Sequence, residues 1–553
     1  MKTKRFIVAL VAGVATAGAQ ALHHAVAAAA SDVALTGKVT SAKEGALEGV
    51  LVSARKAGST ITITVVSDAD GRYGFPRGKL EPGKYDITVR AAGYETGGKI
   101  KATVGAGKTA VANLRLRTTK NLALQLTNSE WLASMPGTEE QKSAFLSCVS
   151  CHTMQRIVHS THTAEEFTQV LPRMANYAPM SMPIHPQVRV ELVRKPNPEV
   201  VRKTAEFLST VNLSRGKKWD YELKTNPRPS GAATRVVITE YDLPRPTVSP
   251  HDVVLDPDGN AWFSSFGEQF IGRLDPKSGK VTEFPVPQIK PKFPTGNLDL
   301  EVDRDGNLWL GMMYQASFAK FDRKAEKFQV WTLPPEINTD VTQINMIMPA
   351  HPADGKIWME SNGIAGLHRF DPATGKWETF EPWKDAPKGR PHNLYDLATD
   401  SKNNVYITDF NYEHVGKIDA ATGAIKLYKT PTPNSNPRRG RADDQDRFWF
   451  AEHRGNKIGV FDPKTEAIQE WPLTTPWSMP YDAVLDKNGE AWAGGMANDR
   501  IARVDTRSGR VIEYLLPRST NIRRVYVDNT TTPVTFWVGS NHGASIVKLE
   551  PLE

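Results

Sequence analysis

The chain has 553 residues, of which 40% are hydrophobic and 24% charged, and its formal net charge is +8. That length allows about three to five domains of about 100–200 residues each, or fewer if one of them is a large β-structure. The composition is ordinary for a globular protein, and so small a charge on so long a chain gives no support for a nucleic-acid-binding function.

The first thirty residues predict a secretory signal peptide. Lys2, Lys4 and Arg5 precede a short apolar run that ends in AVAAAA, so cleavage is expected near Ala28 or Ala30. The alternative is an uncleaved anchor, but the apolar run is short for a bilayer span, and no later segment has 18 consecutive apolar residues. We therefore expect an exported, periplasmic protein with a net charge near +5 and no membrane span in the mature chain.

The next segment alternates apolar and polar residues in short runs between turn pairs such as Asp70-Gly71 and Pro82-Gly83. This pattern predicts a β-sandwich of about seven strands. The segment resembles the carboxypeptidase regulatory-like family in LEGV (47–50), TVVSDADGRYGF (64–75) and LEPGKYDITVRAAGY (80–94). The resemblance implies a structural, adhesive module without catalysis, which binds carbohydrate or a partner or is a rigid spacer.

Both cysteines of the chain lie in CVSCH, where Cys148 and Cys151 are followed at once by His152. A redox-active disulfide would be expected at a strand-to-helix junction, which this region lacks. A zinc site would need two more ligands, and no second CxxC or HxxxH motif follows. C-x-x-C-H is the c-type haem attachment motif, so we predict one covalent haem c on the two thiols, with the imidazole as the proximal iron ligand.

Residues 139–152 predict a helix that enters the motif, and residues 198–211 predict an amphipathic helix that begins at Pro198. This region resembles a small class I cytochrome c domain, whose first and last helices cross beside the haem. Five apolar positions are expected on the buried face of the last helix: Val201, Ala205, Phe207, Leu208 and Val211.

The cytochrome c resemblance also implies a distal methionine in the loop before the last helix. In APMSMPIHP (178–186), Met182 best matches the Met-Pro pair of the family, and Met180 and Met174 are the alternatives. A methionine ligand would raise the reduction potential of the iron. A histidine would instead make a bis-histidine iron, and three are within reach: His159, His162 and His185.

After a polar segment rich in Pro, Lys and Gly, a repeat of about 42–48 residues runs to the end of the chain. Each unit has an Asp-x-Asp-Gly-like turn, a Trp strand and an Ile-Gly-x-x-Asp strand. Six units end near Pro517, and a seventh begins at Asn521 and lacks its fourth strand, which residues 236–244 supply. Shared chain ends close a β-propeller ring, so we predict seven blades whose Trp side chains pack between blades.

The repeat resembles the virginiamycin B lyase (streptogramin lyase) family, in FIGRLDP (270–276) and FAEHRGNKIGVFDP (450–463). The resemblance implies metal-assisted opening of a lactone, with a His base from a Pro-His pair and carboxylates that hold Mg²⁺. Here Tyr481 stands where the base is expected and Met479 where a metal carboxylate is expected, which implies loss of the lyase machinery. A displaced site at another Pro-His pair is the alternative, and Mg²⁺ is expected only there.

The start of each innermost strand is expected to face the central channel, as a column of residue pairs. The pairs are His251-Asp252, Leu298-Asp299, Ile347-Met348, Tyr395-Asp396, Arg438-Arg439, Tyr481-Asp482 and Arg523-Arg524. They predict a polar pocket for an anionic or hydroxylated small molecule, unless the aspartates only hydrogen-bond neighbouring backbone. Five candidate catalytic residues follow from the Pro-His pairs and from an unusual Glu-His pair: His251, Asp252, His392, Glu452 and His453.

The sequence therefore predicts a mainly β chain with one small all-α domain. Its parts are a signal peptide (1–30), a β-sandwich (31–118), a haem domain (119–213), a linker (214–235) and a seven-bladed propeller (236–553). The expected function is electron transfer by an exported c-type haem protein, as an oxidoreductase or with a redox partner protein or a small-molecule electron donor. The alternatives are a C–O lyase of the streptogramin lyase type and a non-catalytic binding protein of several modules.

Overall fold

A computed structural model describes residues 33–177, 181–187, 196–340, 342–361, 364–387 and 389–552. The expected signal peptide and Met180 lie outside the described residues. The chain is mainly β, as predicted, with 41% strand and 12% helix. It divides into two compact units: one holds the described residues up to Thr119 with Arg228–Val237, and the other holds Lys120–Pro227 with the residues from Ile238 onward. None of the helices in the described ranges has the length and apolar character needed to cross a bilayer.

The first unit is a pair of packed sheets, which confirms a β-rich N-terminal domain. In one sheet the strand order is β2-β1-β10-β7, with β5 and β9 also paired to β1, and the other contains β4-β3-β6-β8. The strands are β1 Val33–Ser41, β2 Gly45–Ala46, β3 Leu51–Lys56, β4 Ile61–Val66, β5 Arg72–Pro76, β6 Gly83–Arg90, β7 Tyr94–Thr96, β8 Ile100–Val104, β9 Ala110–Val111 and β10 Leu114–Thr118. The strands exceed the predicted seven because β2, β7 and β9 are only two or three residues long, too short to show an alternating pattern.

The segment predicted as a linker is held by side chains at both of its ends. Trp219 Nε1 donates to the carbonyl of Val158 at 3.0 Å, within the second unit. Within the first unit, Arg228 donates to Glu44 at 2.7 Å and lies over the ring of Tyr94 at 5.7 Å. A few aromatic and charged anchors therefore fix a stretch whose composition is that of a linker.

The second unit begins with a helical region that carries the CVSCH motif. Its helices are α1 Asn128–Ser134, α2 Glu139–Ser143, α3 Phe145–Cys148, α4 Gln155–Val158, α5 Ala164–Ala175 and α6 Pro198–Val211. Helix α6 has the predicted bounds, because Asn197 accepts from the Glu199 amide as N-cap and proline occupies the first turn. Phe145 and Phe207 meet edge to face at 6.0 Å, so α3 and α6 make contact as expected.

The helix predicted over residues 139–152 is divided in the structure. A break at Ala144 separates α2 from α3, and α3 ends at Cys148. The amides of Cys151 and His152 still donate to the Cys148 carbonyl, at 3.2 and 3.4 Å. One helical turn therefore carries both thiols and the imidazole, as the motif spacing predicts.

The rest of the second unit is a ring of seven four-stranded blades, numbered one to seven in chain order, of which six are separate sheets. Blade one consists of β12 Pro250–Leu255, β13 Ala261–Ser265, β14 Phe270–Leu274 and β15 Val281–Pro285. Blade two consists of β16 Glu301–Val302, β17 Leu308–Met312, β18 Ser317–Asp322 and β19 Lys327–Thr332. Blade three consists of β20 Ile344–Ile347, β21 Ile357–Ser361, β22 Gly366–Asp371 and β23 Lys376–Phe380. Blade four consists of β24 Leu394–Thr399, β25 Val405–Asp409, β26 His414–Ile418 and β27 Ile425–Lys429. Blade five consists of β28 Pro437–Ala442, β29 Phe448–Glu452, β30 Lys457–Asp462 and β31 Ala467–Pro472. Blade six consists of β32 Pro480–Leu485, β33 Glu490–Gly495, β34 Arg500–Asp505 and β35 Val511–Leu515. Blade seven combines β36 Ile522–Asp528, β37 Thr535–Ser540 and β38 Ser545–Pro551 with β11 Val236–Asp242, the closure that the repeat predicts.

One hydrogen bond explains the spacing inside the repeat. The indole Nε1 of Trp262 donates to Asp256 at 2.8 Å, and the same carboxylate accepts the amides of the turn between them. The bond recurs from Trp309, Trp449 and Trp492 to the aspartate six residues earlier. Blades one, two, five and six thus each fix the turn and the inter-blade aromatic residue with one carboxylate.

Candidate functional site

The CVSCH motif lines a cavity of about 520 Å³ in the helical region. Cys148, Cys151 and His152 line it together with apolar residues of α5 and α6: Phe167, Val170, Leu171 and Leu208. The two cysteines are not joined to each other. An apolar cavity with two free thiols on one wall fits a flat, hydrophobic prosthetic group that is attached through sulfur.

The imidazole of His152 is oriented for metal ligation. Its Nδ1–H donates to the carbonyl of Thr153 at 2.9 Å, which leaves the Nε2 lone pair available. Burial lowers the pKa of this imidazole, so the neutral form that binds metals is favoured. Burial also raises the pKa of the Cys148 thiol to about 12.

The candidates for the distal ligand are sorted by the same cavity. Met182, which is 6% exposed, and Met174, which is 37% exposed, both line it. His162 is also in the lining. His159 instead packs edge to face against Trp219, at 4.9 Å between ring centroids, and is not among the lining residues. His185 is likewise not in the lining.

A second feature lies at the inner ends of the propeller blades, where the innermost strands of all blades except blade two carry an irregularity. In blade one, Pro250 pairs with Ser265 and Val253 with Phe263, so two residues face one on the neighbouring strand. The same step recurs in blades three to seven. These β-bulges turn consecutive side chains into the channel, which a regular strand cannot do.

The bulges place the predicted column correctly except in blade three. There Ile344 pairs with Ser361 and Ile347 with Met359, so the bulge holds Asn345 and Met346. The repeat pattern predicts Ile347 and Met348 at this position, which is two residues too far along the chain. Blade three lacks the aspartate that marks the second bulge position in its neighbours, so the pattern alone did not fix the register.

The second residues of the bulges form a closed ion network rather than a pocket. Arg439 is fully buried and donates to both oxygens of Asp252 at 2.9 and 3.0 Å and to Asp299 at 2.8 Å. Arg524 adds a bond to Glu301 at 2.7 Å. The aspartates also accept backbone amides of the next blade, such as Gly440 on Asp396 at 2.8 Å. The alternative role for these aspartates, bonding to neighbouring backbone, is the one in the structure.

The electrostatics of the network are uneven. Burial alone would raise the pKa of Asp252, but Arg439 and His251 outweigh it and lower that pKa well below the ordinary value. Burial raises the pKa of Asp299 to about 8 and that of Asp396 to about 6, against the opposing effect of Arg439. At neutral pH the network therefore holds both ionised and neutral carboxyl groups.

The first residues of the bulges form a hydrogen-bonded row at the channel mouth. Burial lowers the pKa of His251 to about 4, so this imidazole is neutral; its Nδ1–H donates to Asp252 at 2.7 Å. Its Nε2 accepts from the Tyr481 hydroxyl at 2.9 Å. The Tyr395 hydroxyl lies 2.6 Å from that of Tyr481 and accepts from Arg438 at 3.1 Å. Tyr481, the counterpart of the predicted base, is thus a proton donor, and burial raises its pKa well above 10.

The other candidate catalytic residues are dispersed. His453 is 4% exposed and its Nδ1–H donates to the Pro480 carbonyl at 3.3 Å, whereas Glu452 is fully buried beside Glu470. Burial and this second carboxyl group raise the pKa of Glu452 to about 9. His392 binds Asp409 at 2.6 Å. No group of three or more His, Cys, Asp or Glu side chains suited to a metal ion occurs among the described residues.

The motif turn contacts the channel mouth directly, which the sequence did not reveal. Asn521 donates to the carbonyl of Val149 at 2.8 Å, and Arg523 donates to the carbonyl of Ser150 at 2.7 Å. The donors and acceptors are about 370 residues apart in the chain. The signal for this contact in the sequence is the second arginine pair of the column, Arg523-Arg524, which lies in blade seven.

A separate cavity of about 390 Å³ lies where the motif turn meets the mouth. Its walls include Ser147 and Ser150 on the helical side and Asn345, Tyr395 and Arg438 on the propeller side. Ser147 lines this mouth cavity and also the motif cavity. The two cavities are therefore neighbours, separated by the motif turn itself.

Known families and structures match parts of the chain. Residues 291–551 match the virginiamycin B lyase family, and residues 34–117 match the carboxypeptidase regulatory-like domain. The selenomethionine-substituted virginiamycin B lyase from Staphylococcus aureus is 23% identical, covers 57% of this chain and 99% of its own, and has a TM-score of 0.49. A streptogramin B lyase structure is 24% identical, covers 58% of this chain and 100% of its own, and has a TM-score of 0.50. No curated protein is significantly similar in sequence to this chain.

These matches confirm two of the three predicted resemblances, the regulatory-like domain and the lyase-like propeller. At 24% identity and a TM-score of 0.50, the likeness to the streptogramin B lyase structure establishes the propeller fold alone. The resemblance of the helical region to cytochrome c stays a prediction.

Proposed function

We propose that this chain is an exported c-type haem protein that transfers electrons, and that its propeller mouth binds a small molecule beside the haem. The observation that carries the proposal is the motif cavity, in which both thiols, a correctly oriented imidazole and a buried methionine meet around an apolar space of about 520 Å³. Haem c would be held by Cys148 and Cys151, with His152 as proximal ligand and Met182 as distal ligand. When bound, haem supplies reversible one-electron chemistry at its iron.

The chain's own residues prepare this cavity. Thr153 orients the imidazole through its carbonyl, and the apolar side chains of α5 and α6 exclude water. Arg523 and Asn521 hold the motif turn against the propeller, so that a molecule in the mouth cavity lies across one turn of chain from the motif cavity. This arrangement suits transfer of electrons from a small-molecule donor at the mouth to the haem. A redox partner protein would then accept the electrons from the haem.

The test is production of the full chain in a host that matures c-type cytochromes. We expect a coloured protein whose reduced spectrum has the sharp α band of haem c, with both cysteines protected from alkylation and an N-terminus near residue 30. Cys148→Ser and Cys151→Ser should each lose one thioether bond, whereas Ser147→Ala in the same turn should keep both. A colourless protein with two free thiols would refute the proposal.

A C–O lyase activity is the second candidate, because residues 291–551 match the virginiamycin B lyase family. Such a reaction needs a base at the mouth, and the neutral imidazoles there are His251 and His453. The test is Mg²⁺-dependent opening of the virginiamycin B lactone by the full chain, with and without His251→Ala. Turnover that survives loss of the haem would favour this candidate over the first.

A further inference from the structure

The mouth cavity carries a strong charge imbalance. Three arginines line it, Arg390, Arg438 and Arg454, and no described residue of the lining is an aspartate or glutamate. The network directly beneath it contains the aspartates, but those are taken by Arg439 and Arg524. The mouth cavity therefore has a positively charged lining next to a layer of paired ions.

Arg438 is the central observation. It is 6% exposed, and none of its described contacts is with a carboxylate. Its guanidinium stacks on the rings of Tyr481, Phe410 and Tyr395, at 4.1, 4.5 and 4.8 Å. Its Nε is buried and has no hydrogen-bond partner in the described part of the chain. Buried charges are normally paired, so this site lacks an anion.

The aromatic stack also fixes how the guanidinium meets a ligand. Its faces are covered by rings, so a ligand must approach its N–H edge, where Nε has no partner among the described residues. A planar edge of two N–H groups matches the two oxygens of a carboxylate. Arg454 and Arg390 add positive charge nearby. Burial and then Arg390 lower the pKa of Arg454, against a smaller opposing effect of Glu140 and Glu139.

Amide side chains supply a second, different requirement. The lining includes Asn345, Asn393 and Asn436, and each has a buried Oδ1 without a hydrogen-bond partner among the described residues. An amide oxygen accepts hydrogen bonds only, so a complementary ligand must bring donors. Hydroxyl groups are donors that carry no charge, and they would not be repelled by the three arginines.

We propose that the mouth cavity binds a small hydroxylated carboxylate, with its carboxylate on Arg438 and its hydroxyl groups on the amide oxygens of Asn345 and Asn393. The volume of about 390 Å³ is in the range of small-molecule sites and suits a molecule of sugar-acid size. The assignment rests on the small-molecule part of the proposed function and does not depend on haem attachment.

The experiment is calorimetric titration of the full-length protein with three matched probes. Gluconate has both features, glucose has the hydroxyl groups without the charge, and hexanoate has the charge without the hydroxyl groups. We expect gluconate to bind at least about tenfold more tightly than either of the others, since a hydrogen bond to a charged group is worth about tenfold or more. Its affinity should fall as the salt concentration rises.

Variants locate the site. Arg438→Met should weaken gluconate binding by about tenfold or more, Arg438→Lys should retain part of it, and Asn345→Leu should remove the preference for gluconate over hexanoate. Arg454→Gln, at the exposed rim, tests the same cavity if Arg438→Met does not fold. Arg245→Gln, an exposed arginine on the outer propeller, should change nothing.

The proposal is overturned if glucose or hexanoate binds as well as gluconate, if inorganic phosphate binds better, or if none of the probes binds. Each of these outcomes is independent of the haem spectrum. A colourless protein that binds gluconate would refute the haem proposal alone, and a haem protein that ignores gluconate would refute this assignment alone.

Discussion

Replacement of Arg439 by methionine should strongly destabilise the propeller. The guanidinium is fully buried and lies within 3.4 Å of three carboxylates, those of Asp252, Asp299 and Asp396. At an effective dielectric constant of about 20, each close contact is worth roughly 4 kcal/mol, and the burial of the cation costs several kcal/mol in return. We therefore expect Arg439→Met to lower the free energy of unfolding by about 3–5 kcal/mol at pH 8, the usual cost of breaking a buried ion pair from one side.

The loss should shrink as the pH falls. The folded-state pKa values of Asp299 (about 8) and Asp396 (about 6) are raised, so their contribution to stability is present at low pH and is lost as the pH rises through those values. The pKa of Asp252 is instead lowered in the folded wild type, so the ionised form of this residue stabilises the fold at pH values above the unfolded-state pKa of about 3.9. Without Arg439 that stabilisation disappears, and protonation relieves the repulsion among the remaining carboxylates. The difference between variant and wild type should therefore be smaller at pH 5 than at pH 8.

The assay is urea unfolding followed by tryptophan fluorescence at both pH values. Arg245→Met is the control, because its guanidinium is 43% exposed and pairs with Glu268 and Glu283 at the surface. Exposed pairs contribute about 0–1 kcal/mol. If Arg439→Met costs no more than this control, or costs the same at pH 5 and pH 8, the network does not depend on that cation.

Three further predictions follow from local contacts. Asp486→Ala should cost about 2–3 kcal/mol in urea unfolding, because it leaves the Trp492 Nε1 and two turn amides without an acceptor; a cost below 1 kcal/mol would contradict the role of this bond in the repeat. Glu452→Gln should change the free energy of unfolding by less than about 0.5 kcal/mol at pH 7, because the wild-type carboxyl group is neutral below its raised pKa of about 9. At pH 10, where the wild-type group must ionise, the variant should be more stable than the wild type. Equal stability at pH 10 would mean that the pKa of Glu452 is not raised. Thr163→Ala removes the capping box of α5 and should lower the free energy of unfolding by about 1 kcal/mol, whereas Thr168→Ala in the same exposed helix should have little effect.

The sequence predicts well those features that are built from neighbours in the chain. The turn aspartate and the indole six residues later, as in Asp256 and Trp262, form a local bond that recurs in four blades, and this recurrence makes the repeat visible in the sequence. The last helix is equally local, since Asn197 and Pro198 define its start. The motif turn also forms as its spacing predicts, because its hydrogen bonds join residues three and four apart.

Features that depend on pairing between residues far apart in the chain could not be predicted from the sequence. Blade three lacks both signals at once: Pro352 stands where its neighbours have the turn aspartate, and Met346 stands at the second bulge position. Alignment by apolar pattern tolerates a shift of two residues, because side chains repeat every two residues along a strand. The shift hid Asn345, one of the residues that line the mouth cavity.

The two arginine pairs show why residue type alone could not separate the layers. Arg438 and Arg439 are adjacent and identical, yet one stacks on aromatic rings and the other is bonded to carboxylates up to 187 residues away. Arg523 and Arg524 divide in the same way, since Arg524 joins the ion network while Arg523 donates to the Ser150 carbonyl. The bulge sends each member of a pair to a different depth, and only the closed ring supplies the partners.

This division has a consequence for the chemistry of the mouth. Arg438 and Arg523 both stand over the ring of Tyr481, at 4.1 and 5.3 Å, and neither has a carboxylate partner among the described residues. Their charges favour an anion near the motif turn and oppose a second cation, such as a protonated His453. The Tyr481 hydroxyl already donates to His251, so it cannot serve as a base there. The ring thus shares the propeller fold of the streptogramin B lyase structure, while its mouth is arranged to hold negative charge against the turn that carries Cys148 and Cys151.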